Sequence, residues 1–170
     1  MKRVNFRNDI LPMKNTLYRL ALRITCDRTE AEDIVQDTLI KVWNKREHWD
    51  EIEAIEAFCM TICRNLALDR IRKKDIHSDS LDDGHHEKPS AQNNPYEDLS
   101  QKDRIELVRK IVDQLPEKQR TCIQLRDFEG KTYKEVAETM QISEDQVKIN
   151  IFRGRQTIKQ RFKEFDDYGL

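Results

Sequence analysis

The stretch VKINIFRGRQTIKQRFK, residues 147–163, holds six cations (Lys148, Arg153, Arg155, Lys159, Arg161 and Lys163) and no acid. The whole chain is slightly acidic, with 31 Lys+Arg against 32 Asp+Glu over 170 residues, so this run is not a sample of the average surface. Wound as a helix at about 100° per residue, it sets Val147, Ile151, Gly154, Ile158, Phe162 and Phe165 on one stripe. Lys148, Phe152, Arg155, Lys159 and Lys163 fall on the opposite side, with Arg153 and Gln156 at its margin. Phe152 therefore stands among cations, away from the apolar stripe. Cations in such a row neutralise phosphates and release counterions. An exposed aromatic beside them can touch a thymine methyl group in a DNA groove.

The residues just upstream give that helix a partner. Thr132 precedes YKEVAETMQ, with Glu135 three positions later, which is the pattern of a capping box. QIS makes a three-residue turn, and Ser143 caps the cationic helix. Ala137, Ile142, Val147 and Ile151 fall at inward positions, with a small residue where the two helices cross. This is the spacing of a helix-turn-helix. Further upstream, Ile105, Val108, Ile111, Val112 and Leu115 outline a helix that ends before Pro116. EKQRTCIQLRDFEG follows as a helix closed by Gly130.

The N-terminal half is also helical by periodicity. Leu17, Leu20, Ala21 and Ile24 mark a first helix over about 8–25. Asp27 or Thr29 caps a second, with Glu30, Glu32 and Asp33 in its acidic first turn. Phe58, Ile62, Leu66 and Ile71 predict the inward face of a third, from about Glu53 to Lys74. Its end carries Arg64, Arg70, Arg72, Lys73 and Lys74. Between the halves, residues 77–103 hold 2 Lys+Arg against 7 Asp+Glu, together with Gly84, Pro89 and Pro95. Such a segment buries too little apolar surface to offset its ordering entropy and reads as a flexible linker. The expectation is an all-α chain of two small helical domains, at 8–76 and 104–166, joined by the acidic linker 77–103.

EAEDIVQDTLIKVW (30–43), FCMTICRNLALDRIRK (58–73) and LPEKQRTCIQLRDFEGKTYKEVAETMQISEDQVKINIFRGR (115–155) together closely resemble the extracytoplasmic-function (ECF) sigma factors of bacterial RNA polymerase. The resemblance covers about residues 8–165. It implies a transcription initiation factor, not an enzyme, with sigma region 2 before the linker and region 4 after it. It implies that Asp33, Gln36, Asp37 and Ile40 bind core polymerase. His48 and Trp49, in the loop 44–53, match the position that captures melted −10 bases, though Trp49 fits a core role as well. Arg64, Asn65, Arg70, Arg72 and Lys73 match the helix that guides −10 DNA. Lys148, Ile149, Phe152, Arg153 and Arg155 lie in the −35 recognition helix, with Ile149 where many members carry a small polar residue. The implied partners are core RNA polymerase, promoter DNA and an anti-sigma factor.

Other chemistry is not signalled. There is no Gly-rich phosphate loop and no metal-spaced Cys/His cluster, so no cofactor or metal is expected. Cys59 and Cys63 share a helix face and read as small core residues. No run of 18 apolar residues predicts a membrane span, and no apolar segment predicts export, so a cytoplasmic location is expected. A helix-turn-helix regulator acting alone would account for 132–163 but leave 30–43 without a task.

Overall fold

The computed structural model describes residues 3–78 and 101–167. Among them there is no strand. Seven α-helices form two blocks: α1 (Lys14–Thr25), α2 (Arg28–Asn44) and α3 (Ile55–Ser78), then α4 (Gln101–Asp113), α5 (Glu117–Ile123), α6 (Tyr133–Met140) and α7 (Glu144–Asp167). Two short helical turns, Phe6–Ile10 and Leu11–Met13, lead into α1, which begins later than periodicity suggests because Pro12 favours a first-turn position.

Local chemistry sets the helix ends. Asp27, not Thr29, caps α2: its Oδ1 accepts from the Glu30 N–H at 3.1 Å. That hydrogen bond, more than any other influence, lowers the Asp27 pKa below the usual carboxylate value. Thr132 and Glu135 form the expected reciprocal box at the start of α6, and Ser143 Oγ accepts from the Gln146 N–H at α7. Cys26 and Gln141 take the left-handed conformation after α1 and α6. Gly130, at φ 70°, lets the chain turn after a single π-type turn, Gln124–Phe128, that continues α5.

Packing departs from the periodic expectation in three places. On α3 the fully buried residues are Cys59, Met60, Cys63 and Ala67, while Phe58, Ile62, Leu66 and Ile71 are half-buried at the flanks. Small side chains on α3 allow close approach, because α3 packs against α1 and α2 and also against α6. Ile105 and Phe165, placed inward by periodicity, are 46% and 40% exposed. Ile105 lies in the first two turns of α4 and Phe165 in the last turn of α7. Of the acidic stretch 77–103, residues 79–100 lie outside the described residues; 77–78 continue α3 and 101–103 open α4.

The two blocks pack against each other. One apolar cluster joins Leu17, Leu20, Ile34, Cys59, Met60 and Cys63 of the first to Cys122, Leu125, Val136, Met140 and Ile151 of the second. Ion pairs ring it: Arg19 to Glu129, Arg23 to Asp113, Arg64 to Glu117 and Lys131 to Glu56. Thr61 Oγ1 also donates to the Thr139 carbonyl at 2.9 Å, and Arg120 to the Ile24 carbonyl at 3.0 Å.

Candidate docking face and nucleic-acid interface

Helix α2 has two faces. Ala31, Ile34, Val35, Thr38 and Val42 are buried, and Thr38 turns its hydroxyl back to the Ile34 carbonyl. On the other side Asp33 and Gln36 are exposed, Asp37 is half-exposed, and Ile40 is 57% exposed. Trp43, 45% exposed, extends that row by one turn with Arg46 over its ring. An outward stripe mixing acids, an amide and large apolar groups at helical spacing suits a protein partner with cationic and apolar contacts. The sequence places Trp43 among the apolar residues of this helix, not on the docking face; its i+3 spacing from Ile40 was the available signal.

The acids of this stripe are already engaged from within. Arg70 of α3 donates to Glu30 Oε2 at 2.5 Å, to Asp37 Oδ2 at 3.0 Å, and to Asp33 Oδ2. Hydrogen bonds to Asp33 and then Glu30 raise the guanidinium pKa above its ordinary value. Lys74 pairs with Asp27 at 3.5 Å. Arg64 makes two 3.0 Å hydrogen bonds to Glu117 across the block boundary. Asn65, Arg72 and Lys73 are exposed. The cations grouped on α3 by the sequence thus divide among three uses.

Trp49 requires a correction as a base-stacking candidate. It is 7% exposed, its Nε1–H donates to the Val42 carbonyl at 3.0 Å, and Phe6 stacks against it. An indole with its faces covered and its N–H satisfied has no surface left for a base. His48 does lie on the surface, 3.6 Å from Glu51. It borders an open cleft with Asn44, Lys45, Ile52 and Phe58. Asn44 and Lys45 continue that cleft to Lys41 and Asn65. Lys41, Asn44 and Lys45 were not singled out in the sequence; their i, i+3, i+4 spacing toward the end of α2 was the only hint.

On α7 the cationic face is open as expected. Phe152 is 62% and Ile149 48% exposed, and Lys148 and Arg153 are also exposed. Lys148 Nζ lies 5.6 Å from the centre of the Tyr133 ring. Arg155 differs from its neighbours, since both its Nε and Nη2 bond to the Asp127 carboxylate. Gly154 is buried where α7 crosses α5. Together α6, the turn at Gln141 and α7 form a helix-turn-helix whose second helix presents Lys148, Ile149, Phe152 and Arg153 outward.

Residues 11–76 match Sigma-70 region 2, and residues 105–158 match Sigma-70 region 4. The RNA polymerase sigma factor SigZ of Bacillus subtilis is 30% identical over 148 residues, covering 84% of this chain and 81% of that protein. The chain belongs to the sigma-70 family of RNA polymerase sigma factors. The ECF RNA polymerase sigma factor SigE of Mycolicibacterium smegmatis is also 30% identical, over 145 residues; the match covers 84% of this chain but 56% of that longer protein. Among solved structures, the sigma factor RpoE in complex with the anti-sigma factor NepR, from Bartonella quintana, is 25% identical and superposes with a TM-score of 0.74. That likeness covers 95% of this chain and 98% of RpoE. CnrH, solved with the cytosolic domain of CnrY, shares the fold at 20% identity and a TM-score of 0.65, over 91% of this chain and 85% of CnrH. Members of this family serve promoter-directed initiation with RNA polymerase and are not enzymes. No helix among the described residues of this sigma factor is long and apolar enough to cross a membrane.

Proposed function

We propose that this ECF-type sigma factor docks on core RNA polymerase through the outward face of α2 and reads promoter DNA with two separate surfaces. Residues 8–76 form the docking and −10 unit, residues 104–166 the −35 unit, and 77–103 the connection between them. Asp33, Gln36, Asp37 and Ile40 meet polymerase. Lys148, Ile149, Phe152 and Arg153 enter the major groove at −35, with Arg155 at the edge of that surface. Arg72, Lys73 and Asn65, with the cleft beside His48, hold −10 DNA. The observation that carries the docking assignment is Ile40, a large apolar side chain 57% exposed within a row of acids on a helix whose opposite face is buried.

In the closed packing Arg64 is committed to Glu117, so its −10 role requires the blocks to separate. An anti-sigma protein that stabilises closure is the natural inhibitor, a reading supported by the likeness to RpoE in its complex with NepR. The factor works in the cytoplasm, where polymerase and DNA are. The test is association with sigma-free core polymerase and transcription from a promoter library. Asp37→Arg abolishes association without unfolding the chain. Arg153→Ala retains association and loses −35-dependent initiation, by about 1–3 kcal/mol if the side chain contacts a base. Normal polymerase binding by Asp37→Arg refutes the docking assignment.

A further inference from the structure

We propose that Arg70 is a positioning residue for polymerase docking, holding Glu30, Asp33 and Asp37 of α2 in one row, rather than a contact to −10 DNA. This rests on the docking role of α2 set out above. The three acids occupy positions i, i+3 and i+7, so they fall along one stripe and repel one another. Arg70 rises from α3 beneath that stripe and donates to one oxygen of each: Oε2 of Glu30, Oδ2 of Asp33 and Oδ2 of Asp37. The planar fork suits this, since its nitrogens are fixed relative to one another and cannot lose their charge. Each carboxylate keeps its second oxygen, and the Glu30, Asp33 and Asp37 side chains remain 35%, 52% and 42% exposed. The acids therefore stay available to a partner while their rotamers are held, so less ordering is left to the moment of binding.

The same geometry argues against a DNA role for Arg70. Its one positive charge sits among three carboxylates, so the site is net negative and repels phosphate. Its side chain is 29% exposed. Arg72 and Lys73, two and three residues on, face solvent and suit phosphate contacts.

The experiment compares the intact sigma factor with Arg70→Ala, Arg70→Lys, Arg72→Ala and Asp37→Arg. Affinity for core polymerase is measured by competition, and promoter opening is measured with each factor at saturation. Arg70→Ala is expected to weaken polymerase binding about tenfold, a typical effect of losing charge-assisted, pre-organising bonds. Once bound, it should open promoters at the normal level. Arg70→Lys recovers part of the affinity, because an ammonium reaches the acids without the fork. Arg72→Ala gives the opposite split, with its loss in promoter opening. Wild-type affinity in Arg70→Ala overturns the proposal, as does an opening defect at saturation that matches Arg72→Ala. If Arg70→Ala fails to fold, equal affinity of Arg70→Lys and wild type overturns it instead. Normal binding by Asp37→Arg would remove the docking face itself; a defective Asp37→Arg beside a normal Arg70→Ala removes only the role of Arg70.

Discussion

Glu117→Ala tests how the two blocks are held together. Glu117 receives two 3.0 Å hydrogen bonds from Arg64 and one at 2.8 Å from the Thr121 hydroxyl. The two charged side chains are only 12% and 21% exposed. Charge-assisted hydrogen bonds contribute about 1.5–3 kcal/mol, and stranding a buried partner costs about 3–5 kcal/mol. Arg64 keeps some access to water, so about 2 kcal/mol is the expected loss from the closed state. At 1.4 kcal/mol per decade that raises the open fraction roughly 30-fold. The other ion pairs and the shared apolar cluster keep closure dominant. Cys122 reports the change, because it is buried in that cluster and burial pushes its thiol up to about 12. Alkylation in mild conditions therefore requires opening, and its rate follows the open fraction. Cys63 belongs to the same cluster but is held against α1 and α2 of its own block, beside Thr38 and with its Sγ 3.4 Å from the Leu17 carbonyl, and is the internal control. Glu117 raises the Cys122 thiol and Arg64 lowers it, so Glu117→Ala and Arg64→Ala alter thiolate formation in opposite directions. Both should nevertheless accelerate Cys122 and leave Cys63 slow. Acceleration in Glu117→Ala alone would mean a purely electrostatic effect, equal acceleration of both cysteines would mean global unfolding, and either result refutes the reasoning.

Gly154→Ala places a Cβ 2.4 Å from Ile123 Cδ1, and Ile123 is 1% exposed. Overpacking costs about 1–3 kcal/mol against a helix-propensity gain of about 1 kcal/mol, so urea unfolding should register a net loss of about 1 kcal/mol. Asp27→Ala removes the cap of α2 and should cost about 1 kcal/mol at neutral pH. Because the folded pKa of Asp27 is lowered, the cap's contribution is complete above the ordinary carboxylate value near 4 and disappears as pH falls through the folded value. The stability gap between wild type and Asp27→Ala should therefore close in acid, as followed by circular dichroism. Trp49→Ala should destabilise by about 3–5 kcal/mol, as for other buried tryptophans, and the thermal midpoint should fall accordingly. A loss confined to −10 recognition at unchanged stability would instead restore Trp49 to the DNA surface.

The second block was legible because its signals are local. Thr132 with Glu135, Ser143 and Gly130 each fix a helix end through contacts within a few residues, and Phe152 declares itself by lying off the apolar stripe. The third helix was less legible. Period alone favoured Phe58, Ile62, Leu66 and Ile71, but α3 touches neighbours on more than one side, and the tightest places went to Cys59, Cys63 and Ala67. Trp49 was ambiguous for a related reason, since its covering group, Phe6, comes from a short turn that no helical period announces.

Charge was the least legible property, because a cation's use depends on what lies opposite it. Arg64, Arg70, Arg72 and Lys73 form one basic run in sequence, and on a lone helix they would serve one purpose. Packing separates them. Arg64 meets Glu117, 53 residues away; Arg70 meets acids 33–40 residues earlier; Arg72 and Lys73 face solvent. A basic cluster thus marks the helix that matters but overstates the charge left for DNA. With Arg64 and Arg70 internally compensated, the closed factor offers fewer free cations on α3 to the proposed −10 surface than its sequence suggests. Opening the blocks would free Arg64 for the proposed −10 surface and leave Arg70 among the acids of α2.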